Sequence, residues 1–208
     1  MNLLERAVID KNVDEFQWLE ERRKGVTATE VSKLAKGQPA VRRNLLAEKQ
    51  TGESSFHGNR YTAWGLEREQ VIAGMMEVKF GFEASDILFF SEGNQRHLAT
   101  PDAIYLAEDH TLIAEIKTSK HDLFSKGPHF KKSTYQDQMQ WQMYVCDATR
   151  CLYAWEQHDD NWVMGDDGIE RPTPIANTWE WIDRDDARIA ELVLVADEFL
   201  EHMDWVAE

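Results

Sequence analysis

Three charged residues near the middle of the chain are spaced so that they could share one small site. Glu115 and Lys117 stand one residue apart in an apolar run, and Asp102 opens the apolar segment before it. Because alternate side chains of a strand point to the same face, Glu115 and Lys117 emerge together while Ile116 turns the other way. Residues 107–110 predict a hairpin turn, which would place Asp102 beside Glu115.

This arrangement predicts metal-dependent phosphodiester chemistry. Two carboxylates at close range repel each other, and a hard divalent cation such as Mg²⁺, held by oxygen ligands and water, relieves the repulsion. Lys117 would then lower the pKa of an attacking water or stabilise negative charge on phosphorus. The alternative is a solvated strand edge, because a Glu-x-Lys triplet often arises by chance. The apolar neighbours of Glu115 favour a buried site, where charges need partners.

Composition predicts a single domain with one core. The chain has 208 residues and is 42% hydrophobic, enough for one sizeable core, and we take residues 1–208 as a single domain. No apolar stretch has the length of a membrane span, and the first residues lack the apolar region of a signal peptide. Two cysteines, Cys146 and Cys151, imply neither a disulfide framework nor a zinc site. We therefore expect a cytoplasmic protein.

The charge is distributed unevenly. The net charge is −15, and residues 156–208 hold 16 acidic and 3 basic residues, a balance of −13 that leaves −2 for the rest. The basic residues of the first part cluster at 22–24, 33–36, 42–43 and 126–132. Positive surface for phosphates is therefore compatible with an acidic chain, although such clusters are also common on solvated faces.

Periodicity and capping residues predict an alternation of helices and strands. The predicted helices are 14–23, a short helix that is capped by Thr27 or Thr29 and ends at Gly37, 39–50, 61–80, 134–145 and 185–203. The predicted strands are 85–90, 97–99, 103–106, 112–117 and 151–155, and the predicted loops are 51–59 and 118–133.

Three of these helices bring further polar groups. Arginines precede the start of the short helix that Thr27 or Thr29 caps, where free N–H groups and the helix dipole favour an anion such as phosphate. Glu69 lies near the start of the long helix, where it either favours the dipole or supplies a third carboxylate to the site. Gln138 and Gln142, four residues apart, share one helix face.

Taken together, this order of elements and motifs resembles the PD-(D/E)XK nuclease superfamily, and within it the phage lambda exonuclease group, or YqaJ-type viral recombinases. The resemblance runs from residue 18 to residue 145. It rests on five motifs: Trp18 to Arg22 with Thr27-Ala28-Thr29-Glu30, Gly65 to Glu69, Thr100-Pro101-Asp102, Glu115-Ile116-Lys117, and Tyr135 with Gln138 and Gln140.

The resemblance implies a role for each matching residue. Asp102, Glu115 and the Ile116 carbonyl would bind the metal, which Glu69 would reach directly or through water. Lys117 would activate the attacking water with help from Gln138. Arg22, or Arg23 if the alignment shifts by one residue, and Thr29 would hold the 5′-phosphate. Further DNA contacts are expected from Thr100, Tyr135, Lys131 and Lys132.

The fold implied is α/β, with a mixed central sheet flanked by helices. The activity implied is 5′→3′ digestion of double-stranded DNA ends with Mg²⁺, or Mn²⁺ as a substitute, in phage or prophage recombination. The resemblance also implies a single-strand annealing partner and a homotrimeric ring. Two alternatives stay open: another PD-(D/E)XK nuclease, either of restriction type or RecB- or Cas4-like, and a non-catalytic DNA-end-binding module. Members of the RecB and Cas4 type use a four-cysteine cluster, which two cysteines cannot build.

Overall fold

A computed structural model describes residues 2–53 and 58–207, so part of the predicted loop at 51–59 lies outside the described residues. The α-helices of the described residues are α1 Glu15–Arg23, α2 Ala28–Leu34, α3 Pro39–Thr51, α4 Arg60–Phe80, α5 Pro128–Lys132, α6 Tyr135–Cys146 and α7 Asp186–Ala207. The strands are β1 Ala7–Asp10, β2 Val26–Thr27, β3 Glu83–Ala84, β4 Ile87–Phe90, β5 His97–Ala99, β6 Ala103–Leu106, β7 Thr111–Ser119, β8 Ala148–His158, β9 Val163–Met164, β10 Glu170–Arg171 and β11 Pro174–Asp183.

The main sheet is mixed, as predicted. It has five strands in the order β11-β8-β7-β6-β3, with β7 and β8 parallel and the other pairs antiparallel. The strand at 87–90 does not begin this sheet, contrary to the sequence expectation. It belongs to a second sheet of order β1-β4-β5-β2. The outer strands of this sheet are two to four residues long, which is too short to show an alternation of apolar and polar residues.

Helices cover both faces of the main sheet and create two apolar cores. On one face α6 contributes Met139 and Met143 to a core that also contains Ile113 of β7. On the other face α4 contributes Ile72 and Met76, which pack with a second set of strand residues: Ala114, Ile116, Leu152 and Ala154. Glu115 and Lys117 alternate with this second set, so they lie on the α6 face.

The hairpin that carries the predicted site is present. Ala103 pairs with Ala114, and the Ala107 N–H donates to the His110 carbonyl at 3.0 Å to close the turn. The Asp102 N–H donates to the Ala114 carbonyl at 3.1 Å. Asp102 therefore lies beside Glu115, which confirms the placement that the predicted hairpin gave.

Several elements differ from their predicted form. Helix α1 forms as predicted but buries none of its residues, and Phe16 is 76% exposed. In α4 the residues Val71 and Val78 are exposed, because the helix meets the sheet through Ile72, Met76 and small alanines instead. The predicted loop at 118–133 contains α5 and the end of β7.

The acidic C-terminal part takes part in the fold. Strand β11 pairs with β8 along nearly its whole length, and α7 places Leu192, Ala196 and Phe199 in the first core, as its apolar stripe predicts. Gln140 joins this part to α6, because its side chain donates to the Asp183 carbonyl at 2.9 Å and accepts from the Asp185 N–H at 2.8 Å. None of the described helices combines the length and the apolarity that crossing a membrane requires.

Candidate active site

The Glu115 carboxylate is the centre of the site. It is fully buried, and three side chains donate to it. Lys117 and Gln138 donate to Oε1, the latter at 2.6 Å, and Gln142 donates to Oε2 at 2.7 Å. The predicted shared face of Gln138 and Gln142 is confirmed, and it points at Glu115. Because each carboxylate oxygen accepts about two hydrogen bonds, Oε2 keeps room for one more ligand.

Asp102 completes the hairpin site from the adjacent strand. Its Oδ2 accepts the Ile116 N–H at 2.6 Å, and Asp102 directly precedes the first residue of β6. The N–H and the carbonyl of one strand residue point towards the same neighbouring strand. Because the Ile116 N–H points towards Asp102, the Ile116 carbonyl is directed to that side as well. Burial, followed by the charges of Glu115 and Glu69, raises the pKa of Asp102 well above its ordinary value.

Glu69 approaches the same carboxylates from helix α4. Burial raises its pKa, and the charges of Asp86 and Glu115 raise it further. Asp86, which precedes β4, is a fourth carboxylate in addition to Asp102, Glu115 and Glu69, and no sequence pattern predicted it. The pKa values of Asp102 and Glu69 are therefore raised first by burial and then by the neighbouring carboxylates.

Lys117 provides the positive charge of the site. Burial would lower its pKa, but the charges of Glu115 and Asp102 outweigh burial, so the pKa of Lys117 lies above its ordinary value. The ammonium lies 5.3 Å from the centre of the Tyr135 ring, which faces it from the start of α6. In the metal-free protein Lys117 is therefore the cation that partly offsets the charges of Glu115 and Asp102.

Several polar atoms near the Glu115 carboxylate make no hydrogen bond to any described residue. Thr100 Oγ1, Gln142 Oε1 and Tyr153 Oη are buried, and within the described residues they have no hydrogen-bond partner. Tyr153 stands opposite Glu115 in the β7–β8 register, and Gln142 Nε2 lies 3.4 Å from the Thr100 carbonyl oxygen. Unpaired buried polar atoms are costly, so these three favour water or ligand oxygen at the site.

The donor set fits a hard divalent cation. Asp102, Glu115 and the Ile116 carbonyl offer oxygen atoms, the ligands that Mg²⁺ prefers. Among the described residues no group of three or more His, Cys, Asp and Glu side chains is arranged to hold a metal ion. Glu69 is thus close enough to raise the pKa of Asp102 but is not placed as a direct third ligand.

The predicted phosphate site forms a separate cleft of about 330 Å³. Its lining includes Arg22, Thr29 and Lys33, together with carboxylates that include Glu30. The helix cap is Thr27, whose N–H donates to the Glu30 carboxylate at 2.8 Å. Thr29 is exposed, so its hydroxyl faces the cleft without serving as the cap.

The structure separates the two candidate arginines. The Arg22 guanidinium lies 4.2 Å from the centre of the Trp18 ring, and burial lowers its pKa while the charge of Glu30 partly opposes this effect. Arg23 instead forms an ion pair with Glu20 at 2.8 Å and donates to the Lys49 carbonyl at 3.4 Å. Arg22 is the arginine that shares the cleft with Thr29. Lys131 and Lys132 are exposed on α5, which connects the end of β7 to α6.

Asp102→Asn is expected to stabilise the metal-free protein above acidic pH. Because the folded-state pKa of Asp102 is raised, the stability of the metal-free protein falls as pH rises from the unfolded-state pKa to the folded-state pKa. Asparagine keeps an acceptor for the Ile116 N–H but removes the charge. Urea unfolding at several pH values in a chelator should show a gain at neutral pH that disappears at low pH.

Asp109→Asn is the matched control, since Asp109 lies in the turn of the same hairpin and the hydrogen bond from His110 lowers its pKa. That variant should show no gain at neutral pH. Equal unfolding midpoints for wild type and Asp102→Asn at neutral pH would contradict the carboxylate repulsion described above.

The fold and the site together define a class. A mixed sheet flanked by helices, with an aspartate beside a Glu-x-Lys pair on adjacent strands, is the PD-(D/E)XK type of fold. The chain matches the YqaJ-like viral recombinase domain over residues 17–149, more than half of its length, and it belongs to that family. No curated protein matches the chain.

Solved structures share the fold. The alkaline exonuclease LHK-Exo from Laribacter hongkongensis, in a complex with dAMP, is 23% identical with a TM-score of 0.65, covering 90% of this chain and 92% of that one. A phage-related exonuclease from Haemophilus somnus 129PT is 20% identical with a TM-score of 0.60, covering 81% of this chain and 83% of that one.

Proposed function

We propose that this protein is a Mg²⁺-dependent exonuclease that digests double-stranded DNA from its 5′ ends and leaves 3′ single strands, in phage or prophage recombination. The observation that carries the proposal is the fully buried Glu115 carboxylate, held by Lys117, Gln138 and Gln142 beside Asp102. Membership of the YqaJ-like family and the names of the exonucleases that share the fold support it.

Asp102, Glu115 and the Ile116 carbonyl would hold the metal ion, and Glu69 would contact it through water. When bound, Mg²⁺ lowers the pKa of a coordinated water and offsets negative charge on the phosphate. Mn²⁺ has similar ligand preferences and is expected to substitute for it. The raised pKa values of Asp102 and Glu69 support this assignment, because a bound cation would offset both the burial and the carboxylate repulsion that raise them.

The remaining chemistry belongs to the side chains. Lys117 is protonated, so it orients the attacking water as a hydrogen-bond donor and offsets charge that develops on the phosphate oxygens. Gln138 and Gln142 fix both oxygens of Glu115 and so preserve its orientation during the reaction. Thr100, whose buried hydroxyl has no partner among the described residues, is available to a phosphate oxygen.

Arg22 and Thr29 are proposed to hold the terminal 5′-phosphate in the cleft that they share. Arg22→Ala should slow digestion of 5′-phosphorylated duplexes by about ten- to a hundredfold, since a charge-assisted hydrogen bond contributes about 1.5–3 kcal/mol. Digestion of 5′-hydroxyl duplexes should change little. Rates measured on both substrates test this prediction.

Arg23→Ala is the matched control for that prediction. Arg23 pairs with Glu20 and with backbone carbonyls, so its loss should lower stability without altering the preference for a phosphorylated end. If Arg22→Ala slows both substrates equally, Arg22 contacts the DNA backbone generally or supports the fold.

The assembly that the family resemblance implies is a homotrimer that works beside a single-strand annealing protein. In such a ring the acidic segment 156–208 would lie outside and repel DNA that has not entered the channel, while Lys131 and Lys132 would face the DNA. A native mass of three times 24.2 kDa in solution is expected.

Covalently closed circular DNA separates the proposed activity from that of a restriction-type endonuclease. An exonuclease needs an end, so with Mg²⁺ the protein should degrade linear duplexes and leave closed circles intact. Cleavage of closed circles at a comparable rate would support an endonuclease instead. Binding to DNA ends without cleavage in any divalent metal would support an end-binding module.

A further inference from the structure

A buried ion pair joins helix α4 to strand β8. Arg68 Nε donates to Glu156 Oε1 at 2.8 Å, and Arg68 Nη2 donates to Glu156 Oε2 at 2.6 Å. The Glu156 side chain is fully buried, and that of Arg68 is 17% exposed. A bidentate arginine–carboxylate contact fixes both the distance and the orientation of its partners. This pair therefore connects two distant parts of the chain rigidly.

Both members of the pair lie next to residues of the candidate active site. Arg68 directly precedes Glu69 on α4. Glu156 stands opposite Thr118 in the β7–β8 register, one residue beyond the position of Lys117. The pair itself lies on the α4 face of the sheet and Lys117 on the other, so it adds no charge to the carboxylates. The charges that shift the pKa of Glu69 come from other residues: Asp86, Glu115, Lys117 and Lys11.

The other contacts between α4 and the sheet are largely non-directional. Ile72, Ala73 and Met76 pack on small strand residues such as Ala114 and Ala154. Apolar burial stabilises this contact but does not by itself fix how far the helix slides along the sheet. The Arg68–Glu156 contact is directional and lies one residue from Glu69, so it is suited to fix this part of the helix against the sheet.

Stability alone does not explain this pair. Buried charges lose their hydration, and apolar residues of similar size are often equally stable or more so. A role in geometry accounts for the retained charges. We propose that Arg68 and Glu156 are positioning residues that hold Glu69 at the metal-binding carboxylates, an inference that rests on the function proposed above.

Arg68→Lys tests this inference, because lysine keeps the charge but loses the two-point contact. Calorimetric titration of the full-length protein with Mg²⁺ should show binding weakened by about tenfold, the lower end of the effect of changing a residue that orients a ligand. The Mg²⁺ concentration for half-maximal digestion should rise in parallel, while the rate at saturating Mg²⁺ should stay near that of wild type.

Glu67→Gln is the matched control on the same helix. Glu67 pairs with Arg171 at 2.7 Å on the surface, and its loss should leave Mg²⁺ binding unchanged. If Arg68→Lys fails to fold, the double variant Arg68→Gln/Glu156→Gln, which keeps an uncharged hydrogen-bonded pair, takes its place. Unchanged Mg²⁺ binding in the folded variant would overturn the inference, even with a lower melting temperature.

A double-mutant cycle with Glu69→Gln separates positioning from general support of the fold. If Arg68 acts through Glu69, then Arg68→Lys should weaken Mg²⁺ binding in wild type and add nothing in the Glu69→Gln background. Additive losses would overturn the inference. The titration requires no DNA, so a wild-type protein that binds Mg²⁺ but digests no DNA ends would refute the proposed function alone. A wild-type protein that binds no Mg²⁺ would refute both.

Discussion

Glu115→Gln is expected to lower the rate of DNA-end digestion by at least about a hundredfold, the scale of loss when one preorganised electrostatic group is removed. Glutamine keeps the volume and one acceptor oxygen for Lys117 and Gln138 but lacks the charge that a metal ligand needs. Gln142 can rotate its amide and present Oε1, which has no partner among the described residues, to the new NH₂ group. The fold should therefore tolerate the change.

The measurement combines single-turnover digestion of a linear duplex with binding of the same duplex in Ca²⁺ or chelator. We expect lost cleavage and retained binding, and the same result for Asp102→Ala. Glu83→Gln, an exposed carboxylate on β3, serves as the control and should digest DNA at the rate of wild type. Normal turnover by Glu115→Gln would remove the central residue of the proposed site.

Lys117→Met is expected to abolish digestion and also to destabilise the metal-free protein. Without Lys117, the buried Glu115 carboxylate keeps only neutral donors, and breaking a buried ion pair from one side costs about 3–5 kcal/mol. The side chain of Lys117 is 21% exposed, so a value at the low end of this range is expected. Urea unfolding in chelator measures the loss.

The double variant Lys117→Met/Glu115→Gln separates the two roles of the lysine. It should recover most of the lost stability, because no unpaired charge is left, and it should remain inactive. Mg²⁺ should also bind to Lys117→Met, since Asp102 and Glu115 are retained. If calorimetry shows that Mg²⁺ binding disappears with Lys117 alone, then Lys117 organises the metal ligands, and its proposed action on the attacking water is wrong.

The centre of the site could be predicted from sequence because local rules determine it. Strand alternation places Glu115 and Lys117 together, a four-residue turn places Asp102 beside them, and the i,i+4 spacing aligns Gln138 with Gln142. Each step spans only a few residues. The family resemblance implied no role for Gln142, but its spacing from Gln138 already placed it on the same helix face.

The rest depends on tertiary contacts that no local pattern specifies. Arg68 and Glu156 are separated by 88 positions in the sequence, and no local pattern at either residue predicts that they are in contact. The same applies to Asp86, which lies between β3 and β4 and whose charge raises the pKa of Glu69 on α4. Helix α1 has an ordinary helical sequence, yet its apolar Phe16 is exposed, since propensity determines that a helix forms but not what covers it.

Digestion of duplexes labelled on one strand at a time, with Mg²⁺ or with a chelator, tests the central claim most directly. A duplex labelled at its phosphorylated 5′ end should release labelled mononucleotide early and only when Mg²⁺ is present, while a 3′ label on the same strand should remain in long products until digestion is nearly complete. Early release of the 3′ label, or equal release in chelator, would contradict a metal-dependent exonuclease that acts from 5′ ends.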